Sequence, residues 1–147
     1  MVEGRILGLD VGDRWIGVAV SDPLGILASP LTRVERTDDE VAVKAIADLV
    51  QKHEAKAVVA GLPYSMDGNV GRQAVRTQDF LRKLSESLRV PIQTSDERLS
   101  TVTAMQGMIE AGASRESRKG KIDAAAAALI LQWYLDRLRR EQSEAQG

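Results

Sequence analysis

The sequence contains no cysteine and a single histidine, His53, among its 147 residues. Without cysteine the chain can form neither disulfides nor thiolate metal sites, and it offers no cysteine nucleophile. Aromatic residues make up only 3% of the sequence, and 20 lysines and arginines are balanced by 21 aspartates and glutamates. This balance lacks the overall basic charge of many nucleic-acid-binding proteins.

Long apolar runs are also missing, and none approaches the length needed to cross a bilayer. The first residues, MVEGRILGLD, lack the basic start and apolar stretch of a signal peptide. Together with the absence of cysteine, these features favour a cytoplasmic protein. The hydrophobic fraction of 44% and the charged fraction of 28% are typical of a globular domain. We expect one domain over residues 1–140, followed by a frayed tail over residues 141–147.

Apolar runs separated by turn residues predict five strands and four helices. A Gly12-Asp13 turn between the first two strands is typical of a hairpin. Thr37 and Glu40 form a capping box at which the first helix is expected to begin. The predicted strands are Arg5–Val11, Trp15–Ser21, Ile26–Val34, Ala57–Pro63 and Pro91–Ser95.

The element order β-β-β-α-β-α-β-α-α predicts an α/β fold with a mixed sheet. The first three strands are antiparallel, and right-handed β-α-β crossovers place the later strands parallel to the first. We expect the strand order 3-2-1-4-5, with helices on both faces. In such sheets, binding and catalysis lie beyond the carboxyl ends of the parallel strands, near the switch in strand order.

Acidic residues lie at this predicted edge. Asp10 ends the first strand, Asp96 and Glu97 lie at the end of the fifth, and Asp123 begins the last helix. Individually, each has an ordinary structural explanation, either as an Asx turn or as an acid near a helix N-terminus. Clustered carboxylates repel one another unless a cation neutralises them, and an oxygen-only ligand set suits Mg²⁺ or Mn²⁺. The pattern predicts a metal-dependent phosphoryl-transfer site, with the choice between Asp96 and Glu97 open.

Four blocks of the sequence resemble, in order, those of the YqgF family, also called RuvX. The blocks are LGLDVGDRWIGVAVSD, VAGLPYSMDGNVG, DERLST and KIDAAAAALILQWYL, and they span nearly the whole chain. Members are regarded as RNase H-like proteins that process pre-16S ribosomal RNA or resemble Holliday junction resolvases. The resemblance implies an RNase H-like fold and catalytic, metal-binding carboxylates at Asp10, Glu97 and Asp123. It thereby favours Glu97 over Asp96.

One position departs from the pattern of related junction resolvases. Those proteins carry a further aspartate one helical turn after the last catalytic one, where this sequence has Ala126. Three acids can still hold metal ions that are shared with a substrate phosphate. The number of metal ions, one or two, therefore stays open.

Basic residues flank the proposed carboxylates. Charge runs of this kind are usually solvated surface, as in the segment Ser114–Lys121. Phosphates need cationic partners, however, so an active site here makes the flanking residues candidates for nucleic-acid contact. The candidates are Arg14, Arg72, Arg98, Arg118, Lys119 and Lys121.

The residues therefore predict a metal-dependent nuclease, and the resemblance implies that it processes the 5′ end of pre-16S ribosomal RNA. A Holliday junction resolvase acting on branched DNA is the alternative. Sugar kinases and actin-like ATPases begin with a similar acid-bearing hairpin, but they need a duplicated domain for which this chain is too short. A non-catalytic nucleic-acid-binding domain is a further alternative. Both a monomer and a homodimer are compatible with the sequence.

Overall fold

The computed structural model describes residues 4–12, 14–62, 72–96 and 119–146, which form five strands and three helices. The third of the four predicted helices, which follows the fifth strand, lies outside these ranges. The strands are β1 (Arg5–Val11), β2 (Trp15–Ser21), β3 (Ala28–Glu35), β4 (Ala55–Leu62) and β5 (Ile92–Asp96), and the helices are α1 (Asp39–Lys52), α2 (Arg72–Ser87) and α3 (Lys119–Gln146).

The five strands form one sheet in the order β3-β2-β1-β4-β5, which confirms the predicted topology. β1 pairs antiparallel with β2 and parallel with β4, so the switch in pairing direction falls on the central strand. Leu9 of β1, for example, lies opposite Val18 of β2 and Ala60 of β4. The residue that follows Leu9 is therefore held by strands on both sides.

Helices α1 and α2 cover one face of the sheet. Leu7 and Leu9 of β1 point to this face and pack with Ile46, Phe80 and Leu84 of the two helices. All five side chains are fully buried. Burial of a side chain of this size contributes about 1.5–3 kcal/mol, so this core supplies much of the driving force for folding.

Helix α3 covers the opposite face. Ile6 of β1 and Val59 of β4 pack there against Ile130, Leu131 and Leu135 of the helix. The alternation of side chains along β1 thus assigns its odd-numbered residues to α1 and α2 and its even-numbered residues to α3. The prediction of helices on both faces is confirmed.

The start of α1 differs from the sequence prediction. Its N-cap is Asp38 rather than Thr37, and the Asp38 side chain accepts a hydrogen bond from the Glu40 backbone N–H at 2.9 Å. Asp38 has the extended backbone of an N-cap, and aspartate and threonine both cap helices well, so the pattern placed the cap one residue early. In the first turn of α1, Val41 is 62% exposed, whereas Ala42 and Val43 are buried.

Helix α3 is longer than predicted at both ends. It begins at Lys119, before the predicted start near Asp123, and it includes residues 141–146 of the expected tail. An ion pair between Arg137 and Glu141 (3.2 Å), four residues apart, supports the helix at the start of that segment. The division into a domain and a frayed tail stays a prediction. Within the described residues, no helix has the length and apolar character needed to cross a membrane.

Candidate active site

Asp10 lies on the face of β1 that carries α3. Gly8, two residues earlier, is so close to this helix that an added Cβ would lie 2.7 Å from the Cβ of Leu131. Because side chains two residues apart on a strand share a face, Asp10 points to the same side. Its residue surface is partly buried, and Gly17 of β2 is its cross-strand partner.

Asp123 reaches this place from the first turns of α3. A Cβ added at Gly17 would lie only 1.9 Å from the backbone oxygen of Asp123, well inside any possible contact distance. Only glycine therefore lets α3 approach β2 at this point. The close approach sets Asp123 against the residue that pairs with Asp10. The backbones of the two predicted acids therefore both lie next to Gly17.

Arg33 of β3 completes a row across three strands. It lies opposite Gly17, on the side away from Asp10, and its Nη1 is 3.5 Å from Oδ2 of Asp123. Its guanidinium also lies over the Trp15 ring, 3.6 Å from the ring centroid. The Arg33 and Asp123 side chains are 29% and 31% exposed. The positively charged Arg33 side chain therefore lies beside Asp123.

Arg36, just after β3, fixes the hairpin turn that follows Asp10. Its Nη1 donates to the Gly12 carbonyl at 3.1 Å, its Nε to Oδ1 of Asp39 at 3.0 Å, and its Nη2 to the Arg76 carbonyl at 3.3 Å. The guanidinium also lies 4.8 Å from the centroid of the Phe80 ring, and the side chain is 8% exposed. One arginine thus joins the turn to α1 and α2.

Asp39 receives a second cation, because Nζ of Lys83 lies 3.1 Å from its Oδ2. The hydrogen bond from Arg36 is the main cause that lowers the pKa of the Asp39 carboxyl below its ordinary value of 3.8, and Lys83 adds to it, while burial acts in the opposite direction. These contacts connect the first turn of α1 to α2. They lie on the face of the sheet opposite to α3.

For the other predicted site residues, the structure gives little more than their position in the fold. Arg14 is exposed in the hairpin connection, where its carbonyl accepts a hydrogen bond from the Arg36 backbone N–H. Arg72 begins α2, and Lys119 and Lys121 lie in the first turn of α3. Outside the described residues lie Glu97, Arg98 and Arg118. Among the residues that the structure does describe, no group of three carboxylates or histidines could hold a metal.

The donor chemistry of the described pair nevertheless fits a hard divalent cation. Asp10 and Asp123 offer carboxylate oxygens, which Mg²⁺ and Mn²⁺ prefer. One or two protein carboxylates together with substrate phosphate are a common ligand set for Mg²⁺. A site built on Asp10 and Asp123, with Glu97 following directly on β5 in the sequence, is consistent with such a set.

Three residues that shape this site were not predicted from the sequence. Gly17 carries a usable signal, because glycine inside a strand often marks the close approach of another backbone. Arg36 follows a strand and precedes a helix cap, which gives no hint of its contacts with Gly12 and Arg76. Arg33 contacts a residue 90 positions away along the chain, and no local pattern indicates that contact.

The sheet order β3-β2-β1-β4-β5, with helices on both faces, places this chain in the RNase H-like class of α/β domains. A similar fold is found in the structure titled "T. thermophilus RuvC in complex with Holliday junction substrate", with a TM-score of 0.54 and 15% identity, covering 90% of this chain and 93% of that chain. The fowlpox virus Holliday junction resolvase is also similar, with a TM-score of 0.53 and 11% identity, covering 90% of this chain and 99% of that chain. At these identities the likeness is one of fold.

The family is shown by closer relatives. The family model described as "RuvX: Holliday junction resolvase" matches residues 4–137. Proteins of Clostridium acetobutylicum and Halothermothrix orenii, both named "Putative pre-16S rRNA nuclease", are 45% and 47% identical to this chain over 132 residues. These matches cover 90% of this chain and 98% and 94% of the two relatives. The chain belongs to the RuvX family, as its sequence blocks predicted.

Proposed function

We propose that this protein is a divalent-metal-dependent nuclease that hydrolyses phosphodiester bonds while processing the 5′ end of pre-16S ribosomal RNA. The observation that carries the proposal is the identity of 45% and 47% to relatives named as pre-16S rRNA nucleases, over nearly their whole length. The approach of Asp123 to the strand pair of Asp10 supports the chemistry.

Asp10, Glu97 and Asp123 would hold Mg²⁺ or Mn²⁺ in this proposal. When bound, such an ion supplies an activated water and stabilises the leaving oxygen of the cleaved phosphodiester. Asp10 is suited to be the central ligand, because hydrogen-bonded strands on both sides fix its backbone. Asp123 enters from a different element, so its position depends on the packing of α3 at Gly17.

The replacement Asp10→Asn tests the assignment directly. It removes one negative charge while keeping the size of the side chain, so the fold should stay intact. Loss of an outer-shell partner in a metal site commonly costs about 10–100-fold, and we expect loss of a direct ligand to cost at least about 100-fold in Mn²⁺-dependent cleavage. Asp48→Asn, an exposed position on α1, is the matched control and should keep full activity. Full activity of D10N would contradict the proposed mechanism.

The basic residues Arg14, Arg72, Arg98, Arg118, Lys119 and Lys121 would contact substrate phosphates. Lys119 and Lys121 can be tested as a pair, because both lie at the start of the helix that carries Asp123. The double change Lys119→Ala and Lys121→Ala should weaken nucleic-acid binding and reduce the salt slope by about one for each lost contact. Lys44→Ala with Lys52→Ala on α1 is the matched control. An unchanged salt slope in the first pair would contradict the assignment.

Cleavage of branched DNA is the second candidate, and the description of the matching family model favours it. A substrate panel of precursor ribosomal RNA, single-stranded RNA and four-way DNA junctions separates the two, with Mn²⁺ and with chelator. The proposal expects cleavage of the precursor RNA with Mn²⁺ and none with chelator. Exclusive cleavage of the junction would instead favour a resolvase, which is expected to act on a symmetric junction as a dimer.

A further inference from the structure

Arg33 lies beside the predicted acids but is neither one of the proposed metal ligands nor one of the predicted phosphate contacts. Its backbone lies in the row Asp10–Gly17–Arg33, two strand spacings or about 10 Å from Asp10. Its guanidinium reaches Asp123, which belongs to the helix above this row. The cation therefore lies at the edge of the site, on the side formed by β3.

The guanidinium lies close over the Trp15 ring, whereas its contact with Asp123 is long for a charge-assisted hydrogen bond. The group lies 3.6 Å from the ring centroid, whereas Nη1 is 3.5 Å from the carboxylate oxygen. Charge-assisted N–H···O bonds are commonly 2.7–2.9 Å long, so the contact with Asp123 is a loose one. An arginine stacked on a ring keeps its in-plane N–H groups available for a ligand at its edge.

The charges at the site determine which partner the N–H groups of Arg33 would bind. In the free protein, Arg33 offsets the negative charge of Asp123. A divalent cation on Asp123 would repel the guanidinium, whereas a phosphodiester beside the cation would attract it. Guanidinium groups bind phosphate oxygens in pairs, through two parallel N–H···O bonds. A small shift over the Trp15 ring would be enough to exchange one partner for the other.

We propose that Arg33 is a phosphate-binding residue of this site, which pairs with Asp123 in the free protein and with a nucleic-acid phosphate in the substrate complex. The proposal rests on the proposed nuclease function. It makes two separate claims. Arg33 competes with a divalent cation for Asp123 when nucleic acid is absent, and it contributes to substrate binding when nucleic acid is present.

Mn²⁺ titration of the metal-free protein by calorimetry tests the first claim without any cleavage. Arg33→Gln removes the competing charge and should tighten Mn²⁺ binding by about two- to fivefold, the range expected for a partly exposed ion pair. The control is Arg139→Gln, which removes the partner of Asp136 in a more exposed ion pair, with side chains 49% and 47% exposed. Arg139 lies 16 residues beyond Asp123 on α3, about 24 Å along the helix, so R139Q should bind Mn²⁺ as the wild type does.

Steady-state cleavage of a precursor ribosomal RNA fragment tests the second claim. R33Q should raise KM by about tenfold while kcat changes by less than about threefold. The slope of log KM against log salt concentration should fall by about one, as expected for the loss of one phosphate contact. Arg33→Lys keeps the charge but loses the planar fork, so it should restore part of the change in KM. A merely structural role would lower the thermal midpoint of R33Q without this separation of KM from kcat.

The outcomes distinguish the two proposals. An active wild type, with unchanged Mn²⁺ affinity or unchanged KM in R33Q, overturns the role of Arg33 and leaves the nuclease function standing. A wild type that cleaves no nucleic acid overturns the nuclease function and with it the phosphate contact. In that case the Mn²⁺ titration still decides whether Arg33 competes for Asp123.

Discussion

The backbone oxygen of Asp123 occupies the space over Gly17 that a Cβ would otherwise fill. Gly17 is also the strand partner of Asp10, so the backbones of both predicted acids lie next to this glycine. The position of α3 at its N-terminal end is therefore set by the absence of one side chain. Gly8 and Leu131 repeat the same kind of approach farther along the helix.

Replacement of Gly17 by alanine should displace the start of α3. The new Cβ would have to gain about 1 Å to reach the 3.0 Å limit of real contacts, and its neighbour is backbone rather than a flexible side chain. We expect a loss of about 1–3 kcal/mol in unfolding free energy and a clear loss of Mn²⁺ affinity. Gly8→Ala is the control, because it crowds α3 near Leu131 instead of at Asp123. Equal Mn²⁺ affinities of the two variants would contradict this prediction.

Replacement of Arg36 should lower the unfolding free energy more than replacement of an exposed charged residue. Arg36→Met removes the hydrogen bonds that Arg36 donates to the Gly12 and Arg76 carbonyls and to the Asp39 carboxylate. We expect a loss of about 2–3 kcal/mol in unfolding free energy, measured by urea denaturation. Arg36→Lys should recover only part of it, because lysine lacks the planar fork. Arg82→Met removes an exposed pair with Asp79 and should change stability by less than about 0.5 kcal/mol.

The acid dependence of stability should contain a contribution from Asp39. Its folded-state pKa lies below the ordinary value of 3.8, so the ionised carboxylate stabilises the fold above that pH. This contribution is lost as the pH falls through the lowered pKa. Asp39→Asn should therefore reduce the unfolding free energy by about 1 kcal/mol at pH 7, and the difference from the wild type should shrink below pH 3.8. A difference that stays constant from pH 7 to pH 3 would refute the assignment.

Local signals in the sequence were sufficient to predict the sheet. The Gly12 turn specifies a hairpin, and the later β-α-β order leaves few arrangements other than the observed one, because crossovers are right-handed. Element ends were predicted less well. Asp38 and Thr37 are adjacent and chemically similar as caps, so only the backbone conformation distinguishes them.

The site was predictable only where its residues carry a local or family pattern. Asp10 lies near the end of a buried strand and Asp123 precedes a run of alanines, so the sequence could point to both as candidates, and their roles stay predictions. Arg33 was not predicted, because its contacts with Trp15 and Asp123 depend on strand register and on the packing of a helix 90 residues away. Such contacts are set by tertiary structure, which periodicity and spacing do not encode.

Ala126 stands where related junction resolvases carry a further aspartate. Replacing it with aspartate tests whether this position faces the metal. It is 4% exposed and lies three residues after Asp123, on the same side of α3. Ala126→Asp would bury a second carboxylate near Asp123 and should reduce stability by about 1–3 kcal/mol in chelator. If this side of the helix faces the metal, Mn²⁺ should raise the thermal midpoint of A126D more than that of the wild type, because the cation offsets the repulsion. Ala124→Asp is equally buried at 4% but lies one residue from Asp123, where side chains do not face each other. An equal response of A126D and A124D to Mn²⁺ would show that position 126 does not face the metal.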